Sequence, residues 1–225
     1  VRPIVGMTRE ELGTFVAELG EPSYRAGQIA EWLYAKRADS FAAMTSLPAG
    51  LRESLQEKAT IDPLELLDRQ ESVDGTIKFL FRTFDGYNVE SVMIPSEMRD
   101  SRGDRARRTL CISSQVGCPL DCKFCATASM KLKRNLTAGE IVAQYLMVDR
   151  MLPMSLSNVV FMGMGEPMLN LDAVIKAIQL FTNPDYELVG RRRITVSTSG
   201  VIPGIRRMAE ERLGVKLAIS LHVTT

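Results

Sequence analysis

The chain has 225 residues, 45% hydrophobic and 24% charged, with a formal net charge of +1, room for one sizeable domain or a domain plus a small appendage. No apolar run reaches the length of a bilayer span and Val1-Arg2-Pro3 does not open a signal peptide, so the expected location is the cytoplasm, where free thiols persist and structural disulfides are rare. Near-neutral total charge does not by itself declare a nucleic-acid binder.

The first stretch reads as helical. Thr8-Arg9-Glu10-Glu11 has the form of a capping box, opening a segment with Leu12, Phe15, Val16 and Leu19 at helical spacing; Gly20 and Pro22 end it. A second helix places Ile29, Trp32 and Leu33 on one face, with Arg25 and Gln28 near its start. A third follows Leu47-Pro48 and uses Leu51 and Leu55. Residues 1–65 are thus expected to form a small helical domain. Trp32, Tyr34, Arg25 and Gln28 offer an RNA-docking face, since aromatics and cations read unpaired RNA; helical spacing with Ile29 and Leu33 equally makes Trp32 core.

The period then changes. Thr76–Phe81 and Tyr87–Ile94 are rich in β-branched and aromatic residues, and Asp85-Gly86 between them predicts a tight hairpin turn. Residues 66–98 are read as this hairpin extension. From residue 99 onward strands and helices alternate: strands over Thr109–Ser113, Asn158–Met162, Arg193–Ser197 and Val215–Leu221, with helices after Thr137-Ala138-Gly139-Glu140 (a second capping box), over Leu171–Phe181 and over Val201–Ala209. Repeated βα units predict an α/β fold, the first four units of a partial TIM-type barrel. The chain stops directly after a strand, and a half barrel leaves an exposed edge, so the sequence reads as the front portion of a longer protein.

Active sites of such barrels lie at the carboxyl ends of the strands. Cys118, Cys122 and Cys125 follow the first barrel strand, Gly163 to Pro167 the second, Ser197 to Gly200 end the third and Ser220 to His222 the fourth. The spacing of the three cysteines offers three thiolates to an iron–sulfur cluster, which normally takes four, and leaves one iron open for a substrate or cofactor. A structural zinc site with His222 as fourth ligand is the alternative, although zinc sites usually show paired CxxC units. Cations surround this region: Arg99, Arg102, Arg105, Arg107 and Arg108 before it, Lys123, Lys131, Lys133 and Arg134 within and after it, and Arg191-Arg192-Arg193 later. They suit a phosphate-rich ligand, or a solvated surface with dispersed acids.

The run Cys111-Ile112-Ser113-Ser114-Gln115-Val116-Gly117-Cys118 through Arg134-Asn135-Leu136-Thr137 closely resembles the RlmN/Cfr-type radical S-adenosylmethionine (SAM) adenine methyltransferases, as do Phe161–Pro167, Ser197–Gly200 and Ser220-Leu221-His222. The resemblance extends over nearly the whole chain. It implies a radical SAM barrel with a [4Fe–4S] cluster on Cys118, Cys122 and Cys125, and SAM contacts from Gly165, Glu166, Ser197, Ser220, Leu221 and His222. It further implies that the reduced cluster splits SAM into a 5′-deoxyadenosyl radical, and that a monomer served by an electron donor such as a flavodoxin system methylates carbon 2 of an adenosine in 23S rRNA and in tRNA beside the anticodon. The C8-specific Cfr branch is the alternative, and a metal-stabilised RNA-binding remnant a further one.

Two more roles rest on the resemblance. Glu90, inward-looking by strand alternation, becomes the proton acceptor, a base best served by burial that moves its pKa toward operating pH. Cys111, otherwise a small core hydrophobe, becomes the thiol that resolves a covalent protein–RNA adduct by pairing with a methyl-carrying cysteine. No cysteine follows Cys125, so this chain is expected to bind a cluster without transferring a methyl group.

Overall fold

The computed structural model describes residues 1–96 and 107–221; Arg99, Arg102, Arg105 and His222 lie outside the described residues. Strand β1 (Arg2–Pro3) precedes helix α1 (Arg9–Glu18). The Thr8 capping box forms as read, with the Thr8 hydroxyl accepting from Glu11 N–H and the Glu11 carboxylate accepting from Thr8 N–H at 2.7 Å. Helix α2 (Arg25–Ala30) runs into one π-helical turn, Glu31–Ala35. That wider turn brings both Leu33 and Tyr34 into the core and moves Trp32 to its edge.

Tyr34 therefore does not belong to an RNA-docking face. It is fully buried, its hydroxyl accepting from Gly6 N–H at 3.0 Å and donating to the Met7 carbonyl at 2.9 Å. Trp32 packs against the core margin and donates Nε1–H to Ser46 Oγ at 2.7 Å, while Arg25 donates to Gln28 at 2.7 Å. Helix α3 (Ala49–Lys58) buries Leu51 and Leu55, and β2 (Ala59–Thr60) returns parallel to β1.

Strands β3 (Leu64–Glu71), β4 (Ile77–Thr83) and β5 (Asn88–Pro95) form an antiparallel meander, with Asp85-Gly86 turning between the last two. The sequence reading contains no β3. It is an edge strand with one neighbour, and only Leu64 of its residues is buried, so it carries little alternation to detect. The segment before the barrel is thus three-stranded, and it starts within the span read as helical.

It also continues directly into the barrel strands. β5 pairs antiparallel with β6 (Arg108–Cys111). Then follow β7 (Gln115–Val116), β8 (Arg134–Asn135), α4 (Ala138–Met151), β9 (Asn158–Phe161), α5 (Leu171–Phe181), β10 (Ile194–Thr198), α6 (Ile202–Glu210) and β11 (Lys216–Ile219). The seven-stranded sheet has the order β11-β10-β9-β6-β5-β4-β3, with parallel pairing from β6 to β11. The fourth barrel unit is represented by its strand alone among the described residues.

The sheet has two unlike faces. Leu110, Val159, Phe161, Ile194 and Val196 are buried with the apolar residues of α4 and α5, and Ser91 reaches Gln144 of α4 at 2.8 Å, so the helices cover this side. Cys111, Val160, Thr195 and Ser197 alternate onto the other, half-exposed side. The amino-terminal helices pack into the same hydrophobic cluster. Arg37 pairs with the buried Asp149, Arg150 bonds Asp62 and the Ala38 carbonyl, and Tyr34 stacks on Tyr186 at 4.6 Å. Among the described residues no helix is long and apolar enough to cross a membrane.

Candidate functional site

The cysteine loop leaves the sheet through a narrow neck. β7 and β8 pair antiparallel, and Lys133 N–H donates to the Val116 carbonyl at 2.9 Å. Gly117, at φ +75°, sits where a Cβ would lie 1.9 Å from the Lys131 carbonyl oxygen, so only glycine lets the chain pass. Past the neck Cys118 and Cys122 are half-buried and Cys125 is exposed. All three border one cavity of about 430 Å³, together with Gly163, Gly165 and Glu166 after β9, Ser197 to Ser199 at the end of β10, and Ser220 after β11. Residues from the clusters at the ends of all four parallel strands therefore border one cavity, the fourth through Ser220. Leu221 lies beyond the lining and is 71% exposed.

Glu166 is buried, and much of its accepting capacity is used within the protein. One oxygen accepts from Met168 N–H at 3.0 Å, the other from Ser199 N–H at 2.9 Å and Ser199 Oγ–H at 3.1 Å. A carboxylate has about four lone-pair sites, so one remains for a cationic ligand. The Glu166 N–H donates to Gln115 Oε1 at 2.8 Å, and Gln115 Nε2 donates to Asn135 Oδ1 at 2.8 Å. Asn135, Gln115, Glu166 and Ser199 thus tie the exit of the cysteine loop to the end of β10. Burial is the main cause pushing the Cys118 thiol above its ordinary range, and the nearby Cys122, Cys125 and Glu166 act the same way.

Glu90 and Cys111 lie on the open sheet face. Glu90 and Val92 alternate with the buried Val89, Ser91 and Met93, and Val92 registers with Cys111. Glu90 is not buried as expected: its side chain is 44% exposed and pairs with Lys78 at 3.3 Å. A position on an uncovered sheet face leaves the carboxylate in water. Its backbone carbonyl accepts from Ser113 Oγ–H at 2.7 Å. Cys111 stands on β6 outside the lining of the cavity.

Burial lifts the Cys111 thiol from 9.0 to about 11, so at neutral pH it carries about a hundredfold less thiolate than an unperturbed cysteine. In the metal-free chain at mildly alkaline pH, iodoacetamide is expected to label Cys111 last of the four cysteines, its rate still climbing with pH up to about 11. Peptide mapping by mass spectrometry reads this directly. Labelling of Cys111 as fast as of the exposed Cys125 would contradict its placement.

Two buried amides behind the site, Gln144 and Asn170, carry no motif signal of their own. Gln144, fully buried in α4, accepts from Ser91 Oγ–H and Ser113 N–H and donates to the Ser113 and Glu140 carbonyls. Asn170 donates to the Ser114 and Leu136 carbonyls at 2.7 and 2.8 Å. The available signal was an amide side chain amid an apolar helix: Gln144 stands between Ala143 and Tyr145, where a polar group needs a partner.

Residues 112–224 match the family model of the radical SAM superfamily, and residues 3–61 match that of the ribosomal RNA large subunit methyltransferase N-terminal domain. The chain belongs to the radical SAM superfamily. A probable dual-specificity RNA methyltransferase RlmN of Symbiobacterium thermophilum is 46% identical over 100% of this chain and 59% of the relative. The dual-specificity RNA methyltransferase RlmN of Geobacter sulfurreducens is 48% identical over 99% of this chain and 59% of its own length. A crystal structure of a radical SAM methyltransferase from Sphaerobacter thermophilus superposes with a TM-score of 0.88 at 43% identity, covering 99% of this chain and 64% of that one. The chain therefore spans about six-tenths of the length of the curated relatives it matches.

Radical SAM membership implies a [4Fe–4S] cluster and SAM. The donor set fits: three thiols border one cavity, and the remaining cysteine, Cys111, lies outside its lining. Among the described residues no three His, Cys, Asp or Glu groups surround a single metal-sized point. Cys118, Cys122 and Cys125 would hold such a cluster, and it would supply the electron that opens SAM.

Proposed function

We propose that this chain is the amino-terminal and front-barrel part of a radical SAM enzyme that methylates carbon 2 of an adenosine in 23S rRNA and in tRNA beside the anticodon. The observation that carries the reading is the single cavity in which three thiols, without a fourth, meet the carboxyl ends of the parallel strands. The names of the relatives, dual-specificity RNA methyltransferases, support RNA as the substrate, in the cytoplasm.

In this reading Cys118, Cys122 and Cys125 hold the cluster, and Gly165, Glu166, Ser197, Ser220, Leu221 and His222 hold SAM. When bound, that pair supplies a carbon-centred radical, the hard chemistry a protein side chain lacks. The chain's own residues orient and move protons. Glu166, braced by Ser199 and Gln115, presents its remaining acceptor site to the SAM ammonium. Glu90, on the same open face as Cys111, accepts the proton lost from the methylated adenine. Cys111 stays a protonated thiol at neutral pH until it resolves a protein–RNA adduct with a cysteine outside this chain. Residues 1–65, mostly helical, form the RNA-docking accessory unit, residues 66–98 the bulk of the extension that carries Glu90, and residues 99–225 the incomplete barrel.

Anaerobic reconstitution with iron and sulfide, then reduction in the presence of SAM, tests this. A brown protein with about four irons and four sulfides per chain that releases methionine from SAM supports the reading. Tight zinc uptake without a cluster would replace it with a metal-stabilised RNA-binding unit. In the protein extended to its relatives' length, mass spectrometry of a methylated rRNA hairpin decides carbon 2 against carbon 8.

A further inference from the structure

One guanidinium joins the two parts of the site that lie on different segments. Arg134 is the first residue of β8, where the cysteine loop rejoins the fold, and it registers with Val116, where the loop departs. All five of its N–H donors are engaged. Nε and Nη2 donate to the two oxygens of Asp85 at 2.6 and 2.7 Å; Nη1 and Nη2 donate to the two oxygens of Glu140 at 2.9 and 2.7 Å; Nη1 also donates to the Asn135 carbonyl at 3.0 Å.

The two carboxylates have different jobs. Glu140 is 1% exposed and closes the capping box of α4, accepting from Thr137 N–H at 2.9 Å, so this arm anchors the loop exit to the helix layer. Asp85 is the turn residue between β4 and β5, and Glu90 stands on the strand that leaves that turn. The Phe84 ring, otherwise exposed, lies 5.2 Å from the guanidinium carbon. A planar fork bidentate on both edges fixes direction as well as distance, which a lysine ammonium cannot do.

We propose that Arg134 is a positioning residue: through its double fork it holds the exit of the cysteine loop and the Glu90 hairpin in one register. The role given to that register rests on the radical SAM reading above; the mechanical coupling does not. The loop beyond the neck is largely exposed from Lys123 to Lys133, so its position depends on how its ends are held. A bond that only stabilised the fold locally would leave loop and hairpin independent of each other.

Hydrogen–deuterium exchange on the metal-free chain tests the coupling. Asp85→Asn removes the charge and one of the two acceptor oxygens of the hairpin arm and leaves the Glu140 arm whole, so the fold is expected to persist, whereas Arg134→Lys weakens the helix anchor as well. In Asp85→Asn, amides of residues 84–88 and of residues 118–133 are expected to exchange about tenfold faster, the scale of one lost charge-assisted hydrogen bond, while those of α5 stay unchanged. Asp85→Glu, which keeps the carboxylate, is expected to restore protection in both segments. After reconstitution, Asp85→Asn is expected to bind the parent's complement of iron but give a broadened electron paramagnetic resonance signal. Acceleration confined to the hairpin, spread uniformly, or absent overturns the proposal. If the parent chain takes up no cluster, the functional reading fails while the metal-free exchange comparison still decides the coupling.

Discussion

Cys122→Ser is expected to abolish cluster assembly, taking bound iron from about four per chain to near none, whereas Cys111→Ser keeps the full complement. The asymmetry follows from placement. Cys122 borders the cavity with Cys118 and Cys125, and its carbonyl accepts from Cys125 N–H at 2.9 Å in the turn that presents the last thiol. A serine oxygen is a hard, weakly acidic donor and a poor substitute for thiolate on iron. Cys111 stands on β6 outside the lining. Iron and sulfide assays on anaerobically reconstituted protein measure both variants. Loss of the cluster in Cys111→Ser would mean that four thiols hold it, and no iron would be left open to SAM.

Gly139→Ala is expected to lower stability by about 3 kcal/mol, the upper end for overpacking, and Tm by about 6–12 °C at this chain length. Gly139 is in the first turn of α4, and a Cβ there would stand 2.4 Å from the Val5 carbonyl oxygen. The opposing Gly6, at φ +95°, would put its own Cβ 2.3 Å from the Gly139 Cα. Both obstacles are backbone, so relief means moving residues 4–7 away from the barrel. That movement breaks the bonds of Gly6 and Met7 to the buried Tyr34 hydroxyl. Gly13→Ala is the matched control: it lies within α1 with nothing within 4 Å of its added carbon, and alanine there is expected to stabilise by up to about 1 kcal/mol. Thermal unfolding followed by circular dichroism measures both. Equal midpoints for the two variants would show that the amino-terminal segment is not pressed against α4.

How legible the fold was depended on how far apart the interacting residues stand. Both capping boxes, the Asp85-Gly86 turn and the order of the barrel strands were readable, because each is encoded within a few positions or in a clean period. β3 was not, because an edge strand facing solvent has little apolar alternation. The burial of Tyr34 was missed because a π turn, which helical spacing does not anticipate, rotates it inward. Glu90 was read as inward-looking by alternation, yet it is half-exposed and pairs with Lys78, because exposure depends on what covers that sheet face and not on the strand's own period.

The sequence by itself determined the chemistry on offer: three thiols at cluster spacing, carboxylates and serines at strand ends, and the parallel order that sends them all to one end of a sheet. Those are properties of neighbours along the chain and of the handed connection between strands. Only the tertiary structure decided which groups are already engaged. Glu166 is braced by Ser199 from the next strand, Gln115 aligns the Glu166 backbone, and Arg134 spans from the cysteine loop to Asp85 on the hairpin. A side chain's free valence depends on partners brought from distant positions by packing, and the residue's own segment carries no record of them.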